Sequence, residues 1–286
     1  MHFILLSIIC SVFVGVLLKI ARQKELSIYQ IISWNYVFAL ISLLIFFKPK
    51  INLEFSLPTG IITGSLIVLL PIIFVFQAKA IKHSGIVKTD IVQRLSLFIS
   101  ISFSLFIAKE VFDTYKITGL IIAFVAIFFT FYKKQQTESN QTKSFYLLLV
   151  LFGFGIIDIL FKKVAMIGDL QFTELLLLVF SGAFIISTLI SCYNILVKKE
   201  TFSIKNLYWG ILVGVLNFGN ISFYIKAHQS LSSNPSTVFI GMNMGVILLG
   251  SLIGIFYFKE KLTKLNYIGL LLSLISIAFI AYSQLN

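Results

Sequence analysis

Ten long apolar stretches, separated by short polar connections, restrict this chain to very few folds. An α-helix needs ~20 residues to cross a hydrocarbon core of ~30 Å. In lipid, every backbone N–H and C=O must be satisfied within the protein, which a helix achieves inside its own segment. The chain is therefore predicted to be an all-α integral membrane protein with ten transmembrane helices. We place them at about 2–20, 28–47, 58–79, 86–108, 115–132, 145–163, 172–197, 206–227, 234–257 and 265–284.

The charged residues fit a lipid bilayer and argue against a nucleic-acid partner. Only 12% of the residues are charged, whereas roughly a quarter are charged in a soluble domain. The net charge of +12 comes from lysines and arginines that lie, except for Arg94, in or beside the connections. Basic connections orient membrane helices, while nucleic-acid binding needs a basic face on a folded soluble domain.

No pattern typical of an enzyme or a metal site is present. The two cysteines, Cys10 and Cys192, lie within apolar stretches and do not stand at metal-ligand spacing. None of the three histidines has an acid at a useful spacing, and no serine nucleophile motif occurs. We therefore expect neither enzymatic activity nor a cofactor or metal ion.

The two halves of the chain are similar to each other. Residues 106–132 and 256–282 share eight identities in 27 positions without a gap, at a shift of 150. The similarity predicts a first five-helix repeat at 1–134, a linker at 135–144 and a second repeat at 145–286. Because five is odd, the second repeat must enter the membrane from the opposite side. Inverted repeats of this kind are typical of secondary transporters, with the substrate site near the midplane between the repeats.

A short motif recurs where the fourth and ninth helices end. Glu110 is followed nine residues later by Gly119, and Glu260 is followed at the same distance by Gly269. Together with Gln93-Arg94-Leu95-Ser96, this motif resembles the drug/metabolite transporter superfamily, in its ten-helix EamA-type branch. The resemblance covers essentially the whole chain. It implies secondary transport of small polar metabolites, often export of amino acids or related compounds.

The repeated motif has a structural interpretation. We expect Glu110 and Glu260 to face the N-terminus of the helix that follows each of them, where the helix dipole favours a negative charge. Gly119 and Gly269 would allow close approach between helices. The proline that is common inside helix 4 of such proteins is absent, and Leu97 stands near its position. The bend of that helix is therefore expected to be weaker or differently made.

Ionisable side chains deep in a membrane are costly and usually face the bundle interior. Asp90 and Arg94 in the fourth helix, and Asp158 and Lys162 in the sixth, each stand four residues apart. This spacing allows each acid to pair with its base and orient its helix. Alternatively, Arg94 binds a substrate carboxylate or phosphate. Asp158, with Lys162 beside it, would then exchange a coupling proton or meet a substrate amine.

Uncharged polar residues complete the set of candidate substrate contacts. Such residues often serve only as hydrogen-bonding contacts between helices, but several together can line a shared cavity. Three of them, Asn217, Asn220 and Tyr224, share one helical face. The full set is Asn35, Tyr36, Asn217, Asn220, Tyr224 and Asn243.

The leading interpretation is a multi-pass transporter of the cell membrane that exports a small polar metabolite by alternating access. Amino acids and other anionic compounds are the favoured substrates. A flippase for a lipid-linked head group and a non-transporting membrane scaffold are the alternatives. A channel is less well supported, because no selectivity-filter sequence is visible. Both a monomer and a homodimer fit this interpretation.

The distribution of basic residues predicts an orientation. Fifteen of the 23 lysines and arginines lie at the odd-numbered connections, and seven lie at the even-numbered ones. The positive-inside rule then places the odd connections in the cytoplasm and both termini outside. The family resemblance implies the opposite orientation, with both termini inside.

Overall fold

The computed structural model describes residues 2–50, 55–84, 86–130, 141–168, 170–259 and 263–283. Within these ranges, the side chains of residues 22, 82, 84, 86–88, 90, 91 and 141–144 are not described. The described residues form helices and no strands. The helices are α1 (His2–Gln23), α2 (Ile28–Phe47), α3 (Leu57–Ser84), α4 (Ile86–Leu95), α5 (Leu97–Phe106), α6 (Thr114–Thr130), α7 (Gln141–Met166), α8 (Phe172–Leu196), α9 (Ile204–Ser230), α10 (Pro235–Phe256) and α11 (Lys264–Tyr282).

The ten predicted spans are confirmed as helical segments. Eight described helices are long and apolar enough to cross a membrane, and two shorter apolar segments, Val92–Phe106 and Thr114–Thr130, account for the fourth and fifth spans. The predicted linker falls largely on residues outside the described ranges. Helix α7 already begins at Gln141, so the last four linker positions are helical.

The fourth span is interrupted at Ser96, which separates α4 from α5. The Ser96 hydroxyl donates a 2.6 Å hydrogen bond to the Gln93 carbonyl. The Ser96 amide lies 3.2 Å from the Val92 carbonyl and 3.3 Å from that of Gln93. A serine hydroxyl that bonds back to the preceding turn competes with the helical ladder and often bends a helix. The Ser96 amide keeps its bond to Val92, so the fourth span tightens into a turn at Ser96 without a proline, one residue before Leu97.

The main contacts between helices join the two halves of the chain. Helix α6 packs on α11, α2 packs on both α8 and α9, α3 packs on α7 and α8, and α1 packs on α9 and α10. The largest buried cluster of apolar side chains accordingly contains residues from both halves. The two repeats are therefore interleaved, and the core of the molecule is their interface.

Helices α6 and α11 show how the halves are related. Gly119 packs against Ile280: a β-carbon added to Gly119 would lie 2.8 Å from Cγ1 of Ile280. Gly269 packs in the same way against the backbone of Thr130. At the shift of 150, Gly119 corresponds to Gly269 and Thr130 corresponds to Ile280. The two contacts are therefore equivalent. They also place the start of each helix against the end of the other. Equivalent helices thus run in opposite directions, and the expected close approach at both glycines is present.

Backbone geometry also repeats between the halves, at intervals of 151 and 150 residues. Lys48 and Lys199, which follow α2 and α8, have φ angles of 45° and 56°, and Lys109 and Lys259 have 51° and 53°. A single left-handed residue of this kind is a common way to end a helix. The N-caps also correspond, because Asp113 accepts from the backbone of Lys116 and Thr263 accepts from that of Asn266.

The alternation of spans places the connections at two ends of the bundle. We call the end where α1 begins and α11 finishes the terminal end. There Phe47, at the end of α2, packs edge-on against Phe172, at the start of α8. At the opposite end, Asn206 at the start of α9 donates to Gln30 at the start of α2. Helices α5, α7 and α9 finish at the terminal end, and α10 begins there.

Candidate functional site

The carboxylate of Asp158 is the centre of a polar cluster inside the bundle. Its Oδ2 accepts a 3.2 Å hydrogen bond from the Ser100 hydroxyl, and its Oδ1 accepts a 3.1 Å bond from the Tyr224 hydroxyl. Arg94 lies close enough to interact electrostatically with this carboxylate. Ser100 is 0% exposed and Tyr224 is 6% exposed. The acid of the second repeat is therefore held by donors from α5 and α9.

Arg94 brings the first repeat to the same place. Its Nη1 lies 3.5 Å from Oδ1 of Asn243 on α10. The Asn243 amide is oriented by a 3.0 Å bond from Nδ2 to the Phe239 carbonyl. Helix α4 ends at Leu95, just before the turn at Ser96, so that Arg94 lies in the last turn of α4 and Ser100 lies in the first turn of α5. Both sides of the interruption thus contribute to one cluster.

A second polar contact joins α4 to α3 beside the cluster. Gln93, its neighbour on α4, accepts a 2.8 Å hydrogen bond from the side chain of Gln77 on α3. We name the set Arg94, Ser100, Asp158, Tyr224 and Asn243 the central cluster. Sequence reasoning identified four of its members and missed Ser100. One serine among many in apolar helices gives no signal of its own.

Only one of the two predicted pairs of neighbouring charges, Asp158 with Lys162, lies wholly among the described side chains. Lys162 does not pair with Asp158; its Nζ donates a 2.7 Å hydrogen bond to the Ser232 carbonyl. The four-residue spacing places both side chains on one face of α7, but the long lysine side chain extends toward the terminal end, where backbone acceptors are available. The side chain of Asp90 lies outside the described residues, so its pairing with Arg94 stays a prediction.

The remaining predicted contacts lie elsewhere in the core. Asn35 and Tyr36 are buried on α2, and Tyr36 packs near the ring of Phe180. Asn220 on α9 accepts a 2.8 Å hydrogen bond from Ser7 on α1. Asn217, also on α9, is buried. Among the described side chains, no hydrogen bond joins these four residues to the central cluster. Their contact with a substrate stays a prediction.

His228 extends the cluster and was missed by the sequence analysis, which looked for acids at close spacing. The imidazole is 0% exposed and lies edge-on to the rings of Tyr224 and Phe239, at 4.8 Å from each ring centre. Its two nitrogens have no hydrogen-bond partner among the described residues. His228 stands one helical turn beyond Tyr224, toward the terminal end.

Comparison with known proteins decides the family. The model of the EamA-like transporter family matches residues 1–132. An uncharacterized protein of Haemophilus influenzae is 41% identical over 290 residues, covering 99% of this chain and 98% of that protein. The chain belongs to the EamA-like transporter family. It is thus a multi-pass membrane protein of a transporter family, for which a small-molecule substrate and a lipid bilayer are the implied partners.

A solved crystal structure shows that the fold itself occurs in other proteins. It superimposes with a TM-score of 0.72 at 10% sequence identity and covers 98% of each chain. At this identity the likeness concerns the fold alone. Within the described residues of this EamA-like chain, no group of three or more His, Cys, Asp or Glu side chains could hold a metal ion.

Glu110 caps a different helix from the one expected. Glu110 accepts a 3.0 Å hydrogen bond from the backbone amide of Ser236, in the first turn of α10, and another from the Ser236 hydroxyl. The helix that follows Glu110 is capped by Asp113 instead. Glu110 does lie at a helix N-terminus, as expected, but that helix is α10 of the second repeat and not α6. Glu260 lies outside the described residues.

Proposed function

We propose that this EamA-like protein is a secondary transporter that moves a small polar metabolite by alternating access, with export as the favoured direction. The observation that carries the proposal is the electrostatic interaction of Arg94, from the first repeat, with Asp158, from the second, in one partly buried cluster. A charge held at membrane depth is costly, so two opposite charges at the repeat interface favour a role in binding. Inverted-repeat transporters bind substrate at such an interface.

The chemistry of the cluster suggests an anionic or zwitterionic substrate. The guanidinium of Arg94 always carries its charge and presents donors in a fork that matches a carboxylate or phosphate. Asp158 supplies a negative group that can meet a substrate amine or carry a coupling proton. Hydroxyl and amide groups can both donate and accept hydrogen bonds, so those of Ser100, Tyr224 and Asn243 can bind a substrate anion or a substrate amine.

The arrangement of helices supports alternating access. The central cluster takes its side chains from α4, α5, α7, α9 and α10, so that a movement of one repeat against the other changes the distances between the groups. Since one chain supplies every member of the cluster, a monomer suffices for transport, and a homodimer would contain two separate sites. We place the protein in the cell membrane.

The proposal is tested in two steps with purified protein. A thermal-shift screen against amino acids, nucleobases and sugar phosphates identifies a ligand that raises the melting temperature. Proteoliposomes loaded with that ligand are then diluted into a trace of the labelled ligand. A transporter accumulates label transiently by exchange, whereas a channel or scaffold does not. Compounds that carry a carboxylate or phosphate are expected among the ligands; a complete lack of counterflow for every stabilising compound contradicts the proposal.

A further inference from the structure

Five side chains form a second, charged cluster between the repeats at the terminal end of the bundle. Lys116 Nζ lies 3.0 Å from Glu110 Oε1, and the two side chains are only 4% and 1% exposed. The same ammonium donates a 2.8 Å hydrogen bond to Asn234 Oδ1. We name Glu110, Lys116, Lys162, Asn234 and Ser236 the interlock. Its members come from the connection after α5, from α6 and α7, and from the start of α10.

The interlock caps a helix of one repeat with a residue of the other. Asn234 is the N-cap of α10, but its side chain makes no capping bond and accepts from Lys116 instead. Glu110 satisfies the first turn of α10 through the amide and hydroxyl of Ser236. An N-terminal turn needs acceptors and favours a negative charge. The two repeats are thus joined where α10 begins.

Lys162 connects a further helix, α7, to the interlock. It is 5% exposed, donates to the Ser232 carbonyl between α9 and α10, and interacts electrostatically with Glu110. The buried Glu110 carboxylate thus pairs with Lys116 and also attracts Lys162. Removal of a single partner would leave a buried charge without its counter-charge, which proteins tolerate poorly.

The interlock stands between the central cluster and the terminal end. On α7, Lys162 follows Asp158 by one turn, and on α9, His228 follows Tyr224 by one turn, both in the direction of that end. Beyond Tyr224, the rings of His228 and Phe239 are each 0% exposed and pack edge-on to one another. In this conformation the central cluster is therefore closed toward the terminal end.

The equivalent position in the second repeat carries different chemistry. At the shift of 150, Lys116 corresponds to Asn266, a neutral residue. Asn266 accepts from the Thr263 amide of its own first turn and donates to the Thr130 carbonyl. Asn266 therefore cannot form the ion pair that Lys116 forms with Glu110. The two ends of the bundle differ in the charge at this position.

We infer that the interlock is the gate that closes the central cluster toward the terminal end and that it must open during transport. The inference rests on the proposed function, because a gate has a role only in a protein that alternates its access. Opening requires Ser236 and Asn234 to leave Glu110 and Lys116, which separates the start of α10 from the connection after α5. The buried ion pair within the first repeat can stay intact during this movement.

Thiol labelling tests the gate without a known substrate. Ser100→Cys, in a background with Cys10→Ser and Cys192→Ser, reports access to the central cluster for a charged, membrane-impermeant maleimide. The reagent is added to proteoliposomes of either orientation. Ser233→Cys, in the exposed connection between α9 and α10, identifies the terminal end, and Thr201→Cys identifies the opposite end. The measured quantity is the ratio of the two labelling rates of Ser100→Cys, from the terminal end over the opposite end.

Two variants open the gate by different routes. Ser236→Ala removes a hydrogen bond between the repeats and keeps every charge, while Glu110→Gln combined with Lys116→Gln removes the buried pair together. Ser33→Ala is the matched control, because Ser33 makes a 2.8 Å hydroxyl contact with Thr188 between the repeats but lies outside the interlock. We expect the ratio to rise at least about tenfold in the gate variants and to stay unchanged in the control.

The outcomes separate the gate from the proposed function. An unchanged ratio in folded Ser236→Ala and in the folded double variant overturns the gate, and so does an equal rise of both rates, which indicates general loosening. Counterflow is measured with a compound found by thermal shift, in separate vesicles that hold the unmodified protein or the gate variants with Ser100 retained. Its absence from the unmodified protein contradicts the transporter proposal whatever the labelling shows, whereas normal counterflow with an unchanged ratio contradicts the gate alone.

Discussion

The contacts of α6 and α11 follow the symmetry of the internal repeat, whereas the structures of the fourth span and α10 depart from it. In α6 and α11 the contacts are reciprocal, with Gly119 against Ile280 and Gly269 against Thr130. The fourth span and its counterpart α10 are not reciprocal. The first is interrupted at Ser96, whereas α10 runs without a break from Pro235 to Phe256.

The chemistry differs in the same way. At the shift of 150, Arg94 corresponds to Met244, which is buried. Helices α6 and α11 hold the repeats together by close approach at Gly119 and Gly269, whereas the fourth span and α10 contribute Arg94 and Asn243 to the central cluster. We conclude that the duplicated scaffold provides stability while its departures from symmetry provide the site. The predictions that follow test each half of this comparison.

The largest effect is expected in the symmetric pair. Gly269→Val should prevent stable folding, because its added carbons would meet the backbone of Thr130, which cannot move aside. Gly119→Val should be milder, since its neighbours are the side chains of Ile280 and Phe279. Overpacking of this type costs about 1–3 kcal/mol and sometimes more. The yield of monodisperse protein and its melting temperature measure the effect.

Gly64→Val is the control for both glycine variants. Nothing lies within 4 Å of a β-carbon at Gly64, so the same change should leave the melting temperature nearly unaltered. Equal tolerance of valine at all three positions would show that close approach of α6 and α11 does not hold the repeats together.

The next effect concerns Asp158, the acid that α7 contributes to the central cluster. If Asp158 carries a coupling proton, Asp158→Asn should abolish uptake driven by a pH gradient and keep ligand exchange, because exchange needs no net proton movement. Both transport modes are measured in one preparation of proteoliposomes. Retention of both modes at normal rates would remove Asp158 from the mechanism.

Sequence reasoning was most accurate where local patterns decide the structure. Apolar length and helix-breaking connections are read directly from the chain, and every predicted span has a helix. The internal repeat also predicted close approach at Gly119 and Gly269, because identical residues at a fixed shift imply equivalent contacts. The interruption of the fourth span at Ser96 could not be placed, since a serine in an apolar helix bends it only in some contexts.

The partners of charged residues could not be predicted, because they are distant in sequence. Asp158 bonds to Tyr224, which is 66 positions away, and Glu110 bonds to Ser236, which is 126 positions away. The sequence suggested nearer partners for both acids, Lys162 and the following helix. Spacing along one helix shows which residues share a face, but neighbouring helices determine which donors a carboxylate meets.

A smaller effect is expected from Ser100→Ala. The change removes one hydrogen bond to Asp158 and leaves Tyr224 in place. A typical hydrogen bond contributes ~0.5–1.5 kcal/mol, so ligand affinity should fall by about threefold to tenfold. Ser33→Ala, which breaks a similar contact between α2 and α8, should leave affinity unchanged. Equal losses in both variants would indicate a general effect on helix packing.

The orientation of the bundle is a separate prediction. The basic connections favour the odd-numbered connections in the cytoplasm and the terminal end outside, while the family resemblance favours the reverse. A pair of C-terminal fusions, one with a fluorescent protein and one with a phosphatase, decides between them. The charge distribution predicts an active phosphatase and a dark fluorescent fusion; a bright fluorescent, phosphatase-silent result contradicts it and places the interlock on the cytoplasmic side.

Ligand binding by Arg94→Lys tests the central claim most directly. Lysine keeps the positive charge but loses the planar fork that binds a carboxylate or phosphate through two parallel bonds. If Arg94 holds an anionic group of the substrate between the repeats, affinity measured by thermal-shift titration should fall about tenfold or more, ~1.4 kcal/mol or above. The melting temperature without ligand should change little, because the charge near Asp158 is kept. An Arg94→Lys protein that binds and exchanges the ligand as tightly as the unmodified protein would contradict the account and leave Arg94 as a helix-orienting residue.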